Sequence, residues 1–274
     1  MNLDAKLAHL ESILKNYGNG ILAFSGGVDS SFLLAIAYQT LGDRLLAVTA
    51  DSETYPLREL EWARKVIAQV GAPHLIIKTE ELANPEFAQN PHNRCYHCKS
   101  ELFGKLKEIA SDKGFTYIFD GANADDVHDY RPGMQAGKEL GVVSPLKEAN
   151  LNKEEIRILS QRCNLPTWDK PSFACLSSRF PYGEEITTAK LRQVDQGEDF
   201  LRELGFRQLR VRHHGNIARI EVPLEELPRV LDEDLRTKIN DYLKALGFNY
   251  VTIDLAGFRS GSMNEVLTEE IIYG

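Results

Sequence analysis

Apolar residues in this chain fall either into short unbroken runs or into stripes spaced three and four apart. Residues 3–16 carry Leu3, Leu7, Leu10, Ile13 and Leu14 at helical spacing and read as an amphipathic helix. The run Ile21-Leu22-Ala23-Phe24 predicts a buried strand over 20–24, and Phe32, Leu33, Ile36 and Ala37 predict a helix over 30–41. Leu45 to Ala50, bounded by Asp43 and Asp51, is a second buried strand. A helix with Trp62, Val66, Ile67 and Val70 follows, then a third strand at Leu75-Ile76-Ile77. Residues 80–97 are a polar loop broken by Asn84-Pro85 and Asn90-Pro91; beyond it, from Cys98, a helix with Leu102, Phe103, Leu106 and Ile109 runs to about Lys113. Tyr117-Ile118-Phe119 is a fourth strand. A helix over 153–163 puts Ile156, Leu159 and Cys163 on one stripe, so Cys163 is expected in the core. Strands without polar alternation, separated by helices, predict an α/β fold: a doubly wound, mainly parallel sheet with both faces covered.

Residues 166–183 contain three prolines and no periodicity, so they read as a loop. The expected division is an α/β domain over 1–183 and a smaller α+β domain over 184–274. The second opens with a helix from Thr187 or Thr188 to Leu204, striped by Leu191, Val194, Leu201 and Leu204. At about 100° per residue Glu198 falls on that stripe. A carboxylate there needs a partner: either Arg202, four residues on, or a ligand in a site. Two strands follow at 208–213 and 217–222, joined at His214-Gly215-Asn216. Alternation puts Arg210 and Arg212 on one face, and Arg219 with Glu221 on one face of the next strand. If those faces coincide, three arginines and a glutamate meet, a set suited to phosphate; otherwise they form a solvated strand face. A helical region to about Leu246, a strand Tyr250 to Leu255, and Gly257-Phe258-Arg259-Ser260-Gly261 complete the domain.

The chemistry starts between the first strand and the helix after it, at Ser25-Gly26-Gly27-Val28-Asp29-Ser30. Two glycines let the backbone turn sharply and bring N–H groups to an anion, and the helix start adds unpaired N–H groups and a favourable dipole. The Lys of a Walker A loop is missing. Doubly wound sheets bind ligands at the carboxyl ends of their strands. That puts the Ser25 loop, Asp51-Ser52 and Asp120-Gly121 along one rim. An acidic loop follows, with Asp125, Asp126 and Asp129, then Tyr130-Arg131-Pro132-Gly133.

The net charge of −8 disfavours a protein that grips a long nucleic acid, although a local basic patch is compatible with it. No stretch reaches the ~20 apolar residues of a membrane span. Met1 to Leu10 lacks a secretory apolar core, so the cytoplasm is the expected compartment. Four cysteines there suggest metal binding or catalysis before disulfides. Cys95 and Cys98 have C-x-x-C spacing, and Cys175 is the natural third member. Zinc, completed by His97 or His92, and an iron–sulfur cluster both suit this set.

The Ser-Gly-Gly-x-Asp-Ser loop resembles the PP-loop of enzymes that split ATP between its α and β phosphates. Joined to Cys175-Leu176-Ser177-Ser178-Arg179-Phe180-Pro181-Tyr182-Gly183, Arg210-Val211-Arg212, Ile217-Ala218-Arg219-Ile220-Glu221 and Gly257-Phe258-Arg259-Ser260-Gly261, it resembles the LarE family over nearly the whole chain. These are the ATP-dependent sulfur transferases of nickel-pincer nucleotide cofactor synthesis, a step of lactate racemase maturation. The resemblance implies that ATP, with Mg2+, adenylates a carboxylate of pyridinium-3,5-biscarboxylic acid mononucleotide, and that a sulfur nucleophile displaces AMP. It assigns Ser25, Gly26, Gly27, Asp29 and Ser30, with Asp51 and Gly121 on the rim, to ATP. It assigns Arg210, Arg212 and Arg259 to the substrate phosphate, Glu198 and Glu221 to a divalent cation, and Cys175, Asp29 and Arg179 to catalysis. Members with one site cysteine sacrifice its sulfur, five residues before the arginine that matches Arg179. Here Cys175 lies four before it and Cys95 and Cys98 are added, which points to the type holding a 4Fe-4S cluster. A homo-oligomer without a membrane partner is expected, and the sulfur donor is left open. Two competing classes are a tRNA thiolase, disfavoured by the acidic balance, and a non-catalytic nucleotide or iron–sulfur carrier.

Overall fold

The computed structural model describes residues 1–128 and 132–267, so Asp129, Tyr130 and Arg131 of the acidic loop lie outside the described residues. The chain forms two compact units, Met1–Glu81 with Asn93–Phe173, and Leu82–His92 with Ala174–Gly274. The second therefore begins at Ala174 rather than at 184, and it takes in part of the 80–97 stretch. Hydrogen bonds account for this assignment. The Ile186 N–H donates to the Ala88 carbonyl (2.8 Å) and the Gly183 N–H to the Asn90 carbonyl (2.9 Å). Asn90, fully buried, donates from Nδ2 to the Pro181 carbonyl (2.6 Å). A short helix, Pro85–Ala88, interrupts what the sequence suggests is loop.

In the first unit β1 (Gly20–Ala23), β2 (Leu45–Asp51), β3 (His74–Lys78) and β4 (Ile118–Phe119) form one parallel sheet in the order β3-β2-β1-β4. Successive side chains point to opposite faces, and both faces are covered. Leu22, Leu45 and Ala47 join a core with the helices Leu3–Tyr17, Val28–Leu41 and Lys153–Arg162. Ile21, Leu46, Val48 and Ile118 meet Phe103, Leu106 and Ala110 of the helix Arg94–Lys113. Each large side chain so buried contributes about 1.5–3 kcal/mol, and Phe32→Ala would cost about 3–5 kcal/mol. The path of the chain reverses beside β1, with β2 and β3 on one side and β4 on the other, and this is the switch point where doubly wound sheets bind ligands.

Three local features differ from the sequence pattern. The helix carrying the C-x-x-C pair opens at Arg94, not at Cys98, so both cysteines are helical. Cys163 is exposed rather than in the core: the helix ends at Arg162, Cys163 caps it, and Asn164 turns the chain with φ 53°. Leu165, buried, enters the core instead. The short helices Pro132–Glu139 and Pro145–Glu148 leave no periodic signal.

In the second unit Thr187 caps the helix Thr188–Glu203 by accepting the Lys190 N–H, and Leu191, Val194 and Leu201 are buried as the stripe predicts. β5 (Arg210–His214) and β6 (Ile217–Glu221) are antiparallel, and β7 (Tyr250–Ile253) adds parallel to β6. The register sets Arg210 opposite Glu221 and Arg212 opposite Arg219. The 166–183 stretch is irregular apart from a 3-10 turn, Leu176–Arg179.

Candidate active site

The loop between β1 and the helix Val28–Leu41 is a tight turn on two glycines. Gly26 has φ 69°, and a Cβ there would lie 2.8 Å from the Ala63 nitrogen, so only glycine suits the position. Gly27 caps the helix, which places Asp29 and Ser30 in its first turn. The Ser25 and Ser30 hydroxyls are 3.0 Å apart, and Ser30 Oγ donates to the Gly27 carbonyl (3.2 Å). Gly121, just beyond β4, closes against this turn; a Cβ on it would stand 3.2 Å from the Ser30 nitrogen. Asp51 ends β2 on the same rim and is exposed.

Asp29 Oδ2 pairs with Lys153 Nζ, while Asp29 Oδ1 is buried with no hydrogen-bond partner among the described residues. An orphaned carboxylate oxygen suits a cation travelling with a polyphosphate. No sequence motif marks Lys153 as a site residue; the Asn152/Glu155 capping box marks only the start of its helix.

The polar faces of β5 and β6 coincide, and they are largely buried rather than solvated. Arg212 binds Glu221 with two prongs, Nε to Oε1 (2.9 Å) and Nη2 to Oε2 (2.8 Å). It also donates to the Ser178 carbonyl (2.6 Å) and Ser262 Oγ (2.9 Å). Arg219 shares Glu221 and lies 3.7 Å from Asp254, which is 3.6 Å from Arg259. Arg210 lies over the Phe258 ring, 5.0 Å from its centroid. Burial, then repulsion from Arg179, pushes the Arg210 guanidinium below its ordinary value, an imbalance that a bound anion would relieve.

Arg179 does not reach the surface as a group that touches substrate must. It is fully buried and binds Glu198 from Nε (2.7 Å) and Nη2 (3.0 Å). Its Nη1 donates to the carbonyls of Ala174 (2.8 Å) and Cys175 (3.2 Å), so it positions the Cys175 backbone. Glu198 also accepts from Arg202 (2.9 Å), the intrahelical partner, and from the Val211 N–H (3.2 Å). Burial alone would raise the Glu198 carboxyl; Arg179 and its neighbours outweigh that and hold it at about 2. With both oxygens of Glu198 and of Glu221 committed to guanidinium groups, this arrangement does not suit a divalent cation there.

No disulfide joins the four cysteines, all of which are described. Cys95 and Cys98, three apart on one helix, lie on neighbouring turns of one face. Cys98 Sγ is 3.9 Å from Oε1 of the buried Glu81, which also accepts from Ser52 (2.6 Å) and Thr54 (2.7 Å). Cys175 is half-buried and precedes the 3-10 turn. Among the described residues no group of three His, Cys, Asp or Glu side chains is assembled as a metal site. Cys95 and Cys98 belong to one compact unit and Cys175 to the other.

A parallel sheet with a Ser-Gly-Gly-Val-Asp-Ser turn at its switch point defines a PP-loop protein that uses ATP. The asparagine synthase family matches residues 21–219. An uncharacterised protein of Synechocystis sp. is 45% identical over 267 residues, covering 97% of this chain and 100% of that protein. Pyridinium-3,5-bisthiocarboxylic acid mononucleotide synthase of Lactiplantibacillus plantarum is 38% identical over 268 residues, covering 97% and 96%. The glutamine-hydrolysing GMP synthase of Aeropyrum pernix is 28% identical over 216 residues, covering 71% and 41%. The chain belongs to the LarE family, within the PP-loop enzymes, and is a sulfur transferase.

Proposed function

We propose that this enzyme adenylates the carboxylates of pyridinium-3,5-biscarboxylic acid mononucleotide and converts them to thiocarboxylates. The observation that carries the reading is the PP-loop with its orphaned Asp29 Oδ1, in a chain alike over nearly its whole length to a synthase of the bisthiocarboxylic product. The N–H groups of Gly26, Gly27 and Ser30, with the Ser25 hydroxyl, receive the pyrophosphate portion of ATP. Asp29 Oδ1 would hold the accompanying Mg2+, and Asp51 and Gly121 bound the nucleotide along the rim. A substrate carboxylate oxygen attacks the α-phosphorus, and the α–β bridging bond breaks to release pyrophosphate. A sulfur nucleophile then adds to the acyl carbon and AMP leaves with the bonding electrons. Arg210, Arg212 and Arg259 take the substrate phosphate, so the unit that carries them, Leu82–His92 with Ala174–Gly274, serves substrate binding and oligomerisation and the other serves ATP.

Cys95, Cys98 and Cys175 would hold a 4Fe-4S cluster. When bound, it would supply a replaceable sulfide. We place the enzyme in the cytoplasm as a homo-oligomer without a nucleic-acid partner; no helix among the described residues is long and apolar enough to cross a membrane.

The test is pyrophosphate release with and without the mononucleotide, beside anaerobic iron and sulfide analysis. Release that needs the mononucleotide, from protein holding iron and sulfide, is expected. Release driven by tRNA, or ATP binding without release, would overturn the assignment in favour of a thiolase or a carrier.

A further inference from the structure

We infer that Lys170 is a positioning residue for the ATP loop, holding the Gly26–Gly27 peptide in the orientation that presents its N–H to the pyrophosphate. The inference rests on the ATP-loop reading above. Lys170 Nζ donates to the Gly26 carbonyl (3.0 Å) and to Glu59 Oε2 (2.7 Å), and both side chains are 7% exposed. The ammonium also lies 5.3 Å from the Trp62 ring centroid. Lys170 is itself fixed: Arg157 donates to its carbonyl (2.8 Å) and to that of Trp168 (2.6 Å), and its own N–H donates to the Thr167 carbonyl (3.1 Å).

The C=O of Gly26 and the N–H of Gly27 belong to one planar, trans peptide and point in opposite directions. Gripping the oxygen therefore aims the N–H. A peptide between two glycines has little intrinsic preference against flipping, so something outside the loop must set it. Ala63 closes one side of Gly26, and Lys170 holds its carbonyl. The Gly27 N–H meanwhile makes only a 3.4 Å contact with Ser25 Oγ, a weak bond that a phosphate oxygen can replace. Stability alone is a poor reason for the pair, because an apolar pair of similar volume often stabilises a core as well as a buried ion pair does. An apolar pair cannot donate to the Gly26 carbonyl.

The experiment compares wild type, Glu59→Leu/Lys170→Met and a remote core variant, Leu10→Ala, by calorimetric ATP titration, KM for ATP and thermal melting. The double variant is expected to fold and to bind ATP about tenfold more weakly, as loss of one buried hydrogen bond implies, with KM for the mononucleotide unchanged. Leu10→Ala is expected to lose thermal stability and keep its ATP affinity. ATP binding by the folded double variant within about twofold of wild type would overturn the inference, as would equal ATP loss in the Leu10 control. If the double variant does not fold, Lys170→Arg decides. Its planar fork keeps the charge for Glu59 but not the single ammonium shared with Gly26, so weaker ATP binding at near-native melting is expected, and wild-type binding would overturn it. Wild type that bound no ATP would instead sink the ATP-loop reading on which the inference rests.

Discussion

Arg179 and Glu198 form a two-pronged ion pair in which neither side chain has any exposure. It ties the turn after Cys175 to the helix Thr188–Glu203. Glu198→Gln would strand a buried guanidinium, and breaking such a pair costs about 3–5 kcal/mol, readable by urea unfolding. The pH dependence follows from the depressed Glu198 carboxyl, about 2 against an ordinary 4.5. A lowered folded-state value means the stabilisation is complete above the unfolded value and is lost as pH falls through the folded one. Wild type should therefore lose stability between about pH 4.5 and 2 in a step that Glu198→Gln lacks. An identical acid profile in the two proteins would contradict the pairing.

Asp29 tests the proposed ATP role of its loop apart from the fold. Its pair with Lys153 is partly exposed, and such pairs contribute about 0–1 kcal/mol. Asp29→Ala should melt like wild type yet release no pyrophosphate in the presence of the mononucleotide. Normal AMP formation by this variant would remove the loop from the mechanism.

The arginine face separates two effects. Arg259 is partly exposed beside Glu265 and Asp254, so Arg259→Ala should leave melting unchanged. Losing this guanidinium should weaken mononucleotide binding while ATP binding stays intact. Arg212→Ala should lower both substrate affinity and stability, since Glu221 would keep only Arg219. Equal weakening of ATP and mononucleotide by Arg259→Ala, measured by calorimetry, would count against a substrate-phosphate role.

β1, β2 and β4 and the loop after β1 were legible because strands buried in a parallel sheet leave unbroken apolar runs, and the edge strand β3, only partly buried, showed itself by the short run Leu75-Ile76-Ile77. The meeting of Arg210, Arg212, Arg219 and Glu221 was legible from strand alternation plus one tight turn. The Arg179–Glu198 and Lys170–Glu59 pairs were not, because tertiary packing chooses partners that local spacing cannot. Glu198 shows the limit well: its stripe position announced a need for a partner, and Arg202 was the local answer, but Arg179 supplies the stronger bond. Cys163 failed for another reason. The helical period continued to it, but the left-handed turn at Asn164 ended the helix first.

The cysteines give the last test, which asks where the sulfur comes from. A sacrificial donor needs one thiol and leaves Cys95 and Cys98 without a part, whereas a cluster employs three. Cys95→Ala, Cys98→Ala and Cys175→Ala should each lose iron, sulfide and the cluster absorption, while pyrophosphate release with the mononucleotide survives, since the proposal assigns adenylation to the Asp29 loop. Cys163→Ala should change none of these. Its side chain is exposed at a helix end, so even the packing loss should be small. Mass spectrometry after turnover supplies the opposing outcome: a loss of about 34 Da at Cys175, the hydrogen sulfide removed when cysteine becomes dehydroalanine. That mass change, found with Cys95→Ala still active, would replace the cluster with sacrifice of the Cys175 sulfur.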